Sequence, residues 1–398
     1  MSSDEYGGQM PRRAVIVDAV RTPLGARNGQ LRGWHPVELA ALLLRAVVER
    51  SDLDPTSIDD VIMGCVSQVG EQAMNIGRNA VLAAGLPDSV PGATIDRQCG
   101  SSQQALHFAA QGVMAGAYDV VIAAGVEVMT RIPIGASMAA GPGTPFSSSI
   151  IERYASVGGL QPQGIGAEMI AEQWKISREE CDAYSVESHR RAALATREKR
   201  FEREIVPLEV TVNKGVAIVT TDEGVRPDLA LQSLAKLKPA YSPKGMITAG
   251  NSSQIADGAA AVLIMSEDKA QQLGLRPIAY FRAFAVTGVD PVTALTGPIP
   301  ATAKVLATAG LKIDEVDLVE INEAFAAVVL AWEKEHRPDM RRVNVNGGSI
   351  ALGHPLGCSG ARLLTTLVWE LQRTEGRYGL LTIGEAGGMA NATIIERL

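Results

Sequence analysis

The sequence predicts an α/β fold of two duplicated halves, the first carrying a long insertion, and three observations lead there. The chain matches itself at an offset of 255 positions: Ile58-Asp59-Asp60-Val61 falls on Ile313-Asp314-Glu315-Val316, and Cys99 falls on His354. Apolar runs of strand length alternate with segments of helical periodicity in both copies, a pattern that implies mostly parallel sheets covered by helices. The stretch 126–246 has no counterpart in the second copy. The expected division is therefore 11–125 plus 247–276 for the first half, 126–246 for the insertion and 277–398 for the second half.

The first copy opens on the apolar run 14–17 as a strand, followed by a loop at Arg21-Thr22-Pro23-Leu24-Gly25. Pro36 introduces a helix over 37–48, and 61–65 has the character of a buried strand. Their mates are a helix over 301–309 and a strand over 316–321. Next come a short strand over 93–95 and a helix over 101–115, whose apolar face holds Ala105, Phe108, Ala109 and Val113. Cys99 is thus placed at a strand-to-helix turn. The helix ends near Gly116, and 119–124 returns as a strand. In the second copy 343–345 leads through Gly347 and Gly348 to His354, then to a helix with Leu363, Leu364, Leu367, Val368 and Leu371, then to a strand over 378–383. The insertion is rich in Gly, Pro and Ser over 133–149 and then more charged. Ser177-Arg178-Glu179-Glu180 has the spacing of a capping box at the start of a helix.

Composition narrows the function classes. A chain of 398 residues has room for about two or three domains, and 46% hydrophobic residues supply sizeable cores. A net charge of -7 and a pI near 5.4 argue against a nucleic-acid surface, so any anionic ligand must be met by a local basic cluster. Cys65, Cys99, Cys181 and Cys358 show neither a zinc pattern nor a disulfide framework, which points to free thiols in a reducing, cytoplasmic setting and to no metal. The segment 1–13 lacks an apolar core of signal-peptide length and is expected to be a loose tail. No run of about 18 apolar residues suggests a membrane span.

A thiol at a helix N-terminus faces unpaired N–H groups and the positive end of the helix dipole, so Cys99 is expected to favour its thiolate and act as a nucleophile. The same N–H groups suit the oxyanion of an attacked thioester. A cysteine here can equally be a packing residue at a tight turn. His354 lies in a loop, 346–357, whose glycines permit close backbone approach and whose Pro355 fixes the turn, a setting that can hold an imidazole beside a thiol. Asn322, at a strand end in Asn322-Glu323-Ala324-Phe325, can orient a water or a substrate oxygen, or cap the following helix. His35, His107, His189 and His336 have no chemical neighbours in sequence and are assigned structural or surface places.

Cys99-Gly100-Ser101, Asn322-Glu323-Ala324-Phe325 and Gly353-His354-Pro355 resemble three signature loops of the thiolases, in the family's order, and the resemblance extends from Arg13 to Leu398. The 96–105 and 393–397 stretches are most similar to actinobacterial thiolases of steroid and fatty-acid degradation by β-oxidation. The resemblance implies the thiolase fold, two mixed-sheet α/β halves in a layered αβαβα core with an inserted loop domain for CoA binding and tetramer contacts, assembled as a homodimer or homotetramer. It implies acyl transfer through a Cys99 acyl-enzyme, to CoA (thiolysis) or to an acetyl-CoA carbanion (Claisen condensation). Coenzyme A is then a substrate, with no permanently bound cofactor.

In that scheme His354 deprotonates Cys99 and the incoming thiol, Asn322 holds a water that forms one oxyanion hole with His354, and the Cys99 N–H with an N–H near Ala386 forms the other. Ser253 matches a pantetheine-contacting serine, and Arg226 falls where thiolases carry a basic residue near the nucleotide phosphates. Lys236, Lys238 and Lys244 add local positive charge. Gly164 stands where biosynthetic members have a histidine, leaving room for a bulkier acyl group. One departure matters: the second catalytic cysteine of the family falls on Gly384, in Ile383-Gly384-Glu385-Ala386-Gly387-Gly388. Either a water or Glu385, beside Ile383 and Ala386 and with a raised pKa, is the candidate replacement acid/base; Glu385 can also point to solvent or bind a backbone N–H. The competing function is a CoA-ester-binding protein or slow thioesterase that acylates Cys99 without carbon–carbon chemistry.

Overall fold

The computed structural model describes residues 12–139, 141–212 and 215–398, so nearly all of the expected N-terminal tail lies outside the described residues. Twelve strands lie among the described residues: β1 (Ala14–Arg21), β2 (Gly25–Ala26), β3 (Asp60–Gly64), β4 (Ala93–Ile95), β5 (Val120–Val128), β6 (Leu208–Val212), β7 (Gly215–Val219), β8 (Ala256–Ser266), β9 (Ala279–Gly288), β10 (Leu318–Ile321), β11 (Tyr378–Glu385) and β12 (Met389–Arg397). Ten form one sheet in the order β10-β11-β12-β9-β1-β8-β5-β3-β4, with β2 on β8, while β6 and β7 make a separate hairpin.

The duplication is visible in this order. In the first half β3–β5 is parallel while β5–β8 and β8–β1 are antiparallel. In the second β10–β11 is parallel while β11–β12 and β12–β9 are antiparallel. Even β4 has its mate: it runs parallel to β3, as Val343 bridges in parallel to Val319. The halves join where equivalent strands β1 and β9 pair through Val15–Tyr280 and Ile16–Ala279. The expectation of mostly parallel sheets is therefore corrected, since antiparallel pairs prevail. The reason lies in the connections: β11 turns back into β12 through Ala386, Gly387 and Gly388, both glycines at positive φ, and such a short link permits only an antiparallel neighbour.

Five layers result. The Pro36–Arg50 and Ile76–Ala83 helices cover the outer face of the first half-sheet through Leu39, Leu43, Leu44, Val47, Ile76 and Val81. The Pro298–Ala309 and Ala326–His336 helices cover the outer face of the second through Val305, Leu306, Val329 and Trp332. Between the half-sheets lie the Ser101–Met114 and Ser359–Thr374 helices, sharing one apolar cluster with residues of both. Buried strands of this kind lose the polar alternation of a solvated sheet, and β5 and β8 are apolar almost throughout. Phe108, counted above with the buried stripe, is 46% exposed, because the helix turns it away from both sheets.

Apart from residues 126–128, which belong to β5, the 126–246 stretch lies in the β5-to-β8 connection, the position equivalent to the short β11–β12 turn. It contributes the Gln163–Gln173 and Arg178–Arg197 helices and the β6–β7 hairpin. The second helix begins with the expected capping box: Ser177 accepts from the Glu180 N–H while the Glu180 carboxylate accepts from the Ser177 N–H. Among the described residues no helix is long and apolar enough to cross a membrane.

Candidate active site

The site is assembled where the two central helices, one from each copy, touch backbone to backbone. A Cβ on Gly360 would lie 2.2 Å from the Gln103 backbone nitrogen, so only glycine allows this approach. The Ala361 N–H donates to Ser102 Oγ at 2.9 Å across the same junction. Glu127, fully buried on β5, accepts from the N–H groups of Val66, Ser67 and Gly357 and from Gln72, tying the loop after His354 to the first half. Cys99 lies just before the first of these two joined helices and His354 a few residues before the second. Sequence reasoning passed over Glu127; its signal was a lone carboxylate inside the apolar run of β5.

Cys99 is 3% exposed, and its sulfur lies against the backbone N–H groups of Cys99 and Ala386 and the side chain of Gln163. The two N–H groups named from the sequence thus meet at the sulfur, and Gln163, from the insertion, joins them unforeseen. The expected thiolate is not what this environment favours. Burial, and then the neighbouring Glu385 carboxylate, push the thiol up to about 12, outweighing the three donors. The resting group is a neutral thiol that needs a base.

His354 is such a base: burial, and then the Arg362 charge, hold it down to about 3, so the imidazole is neutral. Its Nε2 lies 3.3 Å from Asn322 Nδ2 and its Nδ1 2.6 Å from Ser359 Oγ. The Ser359 hydroxyl donates to the Pro355 carbonyl, so Nδ1 carries the proton and Nε2 the lone pair. Asn322 Oδ1 accepts from Ser349 Oγ at 2.6 Å. Asn322 does not cap the next helix, whose N-cap is Phe325 with no side-chain bond. Glu323 anchors this loop, accepting from Tyr184, Ser188, Asn344 and the Ile350 N–H. His354 and Asn322 are in direct contact, while both ring nitrogens are engaged away from Cys99.

Glu385 is fully buried, neither of its carboxylate oxygens has a hydrogen-bond partner among the described residues, and burial pushes the carboxyl up to about 8. Of its two alternatives, pointing to solvent or binding a backbone N–H, neither is observed. A Cβ on Gly100 would fall 1.9 Å from Glu385 Oε1, so the carboxyl rests on the residue after Cys99. A Cβ on Gly384 would instead face Pro298 at 3.1 Å and Leu295 at 3.6 Å. Successive strand residues point to opposite faces, so Glu385 reaches Cys99 from another side than a residue-384 thiol would.

Around this centre, the Ser253 N–H donates to the Ala324 carbonyl, which sets it beside the Asn322 loop. Arg226 is exposed, and its backbone N–H is held by His189. Lys236, Lys238 and Lys244 are exposed. The room expected beside Gly164 is taken: a Cβ there would fall 2.2 Å from the Tyr241 ring, which packs edge-on against Phe325. Without a side chain at 164, the tyrosine moves in.

The chain matches the family models for the thiolase N-terminal domain over residues 14–268 and the thiolase C-terminal domain over residues 275–397. It is 50% identical over 395 residues to steroid 3-ketoacyl-CoA thiolase FadA6 of Mycobacterium tuberculosis, covering 98% of this chain and 96% of that one. To a 3-ketoacyl-CoA thiolase of Bacillus subtilis it is 41% identical, covering 97% and 99%. The crystal structure of the Bacillus anthracis acetyl-CoA acetyltransferase superposes with a TM-score of 0.89 at 39% identity, covering 97% of this chain and 99% of that one. These relatives give no support to a binding protein or slow thioesterase. With both domain models matched in order and a shared sheet duplication beneath them, the chain belongs to the thiolase family.

Proposed function

We propose that this thiolase-type acyltransferase cleaves a 3-ketoacyl-CoA with CoA, or runs the reverse condensation, through an acyl-enzyme on Cys99. The single observation that supports the reading is the junction of the two duplicated helices: a buried thiol, beside two N–H groups, lies just before one helix, and a neutral imidazole lies a few residues before the other. His354 Nε2 takes the thiol proton, and the thiolate attacks the 3-keto carbon. The N–H groups of Cys99 and Ala386 receive the oxyanion. Carbon–carbon cleavage leaves an acetyl-CoA carbanion, which Glu385, protonated at neutral pH, supplies with a proton in place of the thiol missing at Gly384. The proton taken by His354 is then lost to solvent and Glu385 regains one from it, so that His354 can deprotonate CoA; the CoA sulfur takes the acyl group, and the departing Cys99 thiolate recovers a proton from His354. Asn322 and His354 hold the water that faces the thioester oxygen of acetyl-CoA.

Arg226, Ser253 and the three lysines serve the CoA arm, and the 126–246 insertion is the CoA-binding and assembly segment. The relation to FadA6 favours a steroid-derived 3-ketoacyl-CoA in β-oxidation. A cytoplasmic enzyme, dimeric or tetrameric, fits the four free thiols and the open edge at β4. The test is to incubate 3-ketoacyl-CoA with CoA and follow substrate loss and acyl-CoA products together, with Cys99→Ala as control. Formation of acetyl-CoA and the shortened acyl-CoA, abolished in the variant, is expected. Hydrolysis to free acid without either product would overturn the reading.

A further inference from the structure

A base that takes the Cys99 proton must present a bare nitrogen, and the structure contains a device that fixes which one. We propose that Arg362 is a positioning residue that sets the His354 tautomer through Ser349 and Asn322, an inference that rests on the reading of His354 as the base.

Arg362 lies in the Ser359–Thr374 helix and is fully buried. Its Nη2 donates to Ser349 Oγ at 3.3 Å, and a guanidinium can only donate. The Ser349 hydroxyl must therefore send its own hydrogen onward, to Asn322 Oδ1 at 2.6 Å. With Oδ1 so engaged, the Asn322 amide cannot flip, and its NH2 group faces His354 Nε2 at 3.3 Å. A donor facing Nε2 requires a lone pair there. At the other end Ser359, donating to the Pro355 carbonyl, requires Nδ1 to carry the hydrogen. The chain runs one way, from a group that can only donate to one that can only accept, and both ends dictate the same tautomer.

Arg362 is poorly explained as half of an ion pair. Its nearest carboxylate oxygen, on Glu320 of β10, is 3.9 Å from Nη1, and both Nη1 and Nε lack hydrogen-bond partners among the described residues. Burial pushes the Glu320 carboxyl up to about 8, which weakens the pairing further. Glu204, Arg21 and Cys358 are the other titratable groups acting on Arg362, and Arg362 is the charged group that acts on His354. The one well-directed bond of the guanidinium is thus the one to Ser349.

The test uses the full chain labelled with imidazole 15N histidine, with the His354 resonances assigned by their loss in His354→Gln. In the wild type, Nε2 is expected to be pyridine-like and Nδ1 pyrrole-like. Ser349→Ala and Arg362→Met should each shift His354 toward the Nε2–H tautomer and slow Cys99 acylation by about a hundredfold, with KM changed by less than about twofold. Arg362→Lys, which keeps a donor, should recover most of both. An unchanged tautomer in folded Ser349→Ala and Arg362→Met overturns the proposal, whether or not activity falls. Should Arg362→Met fail to fold, Ser349→Ala decides by the same criteria. Because the tautomer is read without turnover, a wild type that shows the expected tautomer but no thiolysis would refute the proposed function and leave this inference standing.

Discussion

Replacing Glu385 by Gln removes a buried ionisable group while nearly preserving its shape, and two quantities should respond. Glu385 ionises near 4.5 in an unfolded chain but only near 8 in the folded one, because burial leaves both oxygens without donors. Between those values the folded state keeps a proton that the unfolded state has lost. Glu385 therefore carries no penalty at low pH, and its folded state loses stability as pH rises toward 8, by a ceiling of roughly 5 kcal/mol at 1.4 kcal/mol per pH unit. Glu385→Gln should abolish this slope, making the variant the more stable protein at about pH 8 and near-equal to wild type at about pH 4.5. Urea midpoints across that range measure it. Activity should move the other way, thiolysis falling by about 10²-fold or more, with Cys99 acylation nearly unchanged. Above its own pKa the Glu385 charge also raises the thiol, so alkaline alkylation of Cys99 should be faster in the variant. Equal thiolysis rates in the two proteins would eliminate Glu385 as the acid/base, and parallel stability profiles would contradict a neutral buried carboxyl.

Gly360→Ala drives a methyl to 2.2 Å from the Gln103 nitrogen; it should cost about 1–3 kcal/mol in chemical denaturation and slow acylation, and a neutral result would mean that the helix junction is not tight. Brief iodoacetamide treatment followed by mass mapping should find Cys99 labelled first, since Cys65, Cys181 and Cys358 are fully buried; labelling of any of those with Cys99 spared would sink the nucleophile assignment. Tyr241→Ala should vacate the space beside Gly164 and raise kcat/KM for bulkier acyl chains relative to short ones, whereas an unchanged ratio would place that space outside the acyl path. Light scattering should return a dimer or tetramer rather than the 42.0 kDa monomer.

The duplication and the strand-to-helix setting of Cys99 could be read from the chain because each is local or periodic. Strand direction could not: an apolar run has a period but no polarity, and the antiparallel pairing follows from the Ala386-Gly387-Gly388 turn, whose role in joining β11 to β12 emerges only in three dimensions. The ionisation of Cys99 was misjudged for a related reason. The helix terminus is a nearby cause that sequence displays, while the burial and the Glu385 carboxylate that outweigh it come from elements far apart in the chain. Gly164 shows the same limit, since the ring that fills its space belongs to Tyr241, 77 positions away. Glu385 itself was legible, its raised pKa following from apolar sequence neighbours, but its approach through Gly100 rather than from the Gly384 side was not.

The duplication also accounts for what surrounds the sulfur. β5–β8 and β11–β12 are equivalent antiparallel pairs, and their connections are therefore equivalent places in the fold. In the second half the connection is the tight turn that presents the Ala386 N–H to Cys99; in the first it has grown into the insertion, whose Gln163 side chain reaches the same sulfur. One ancestral position thus supplies a donor twice, once from backbone and once from side chain. The backbone donor is fixed by its strand ends, so it suits a developing oxyanion that tolerates little misplacement. The side-chain donor rides on a segment free to vary in length and sequence without disturbing the sheet, and this is where substrate fit can change while the chemistry at Cys99 is preserved.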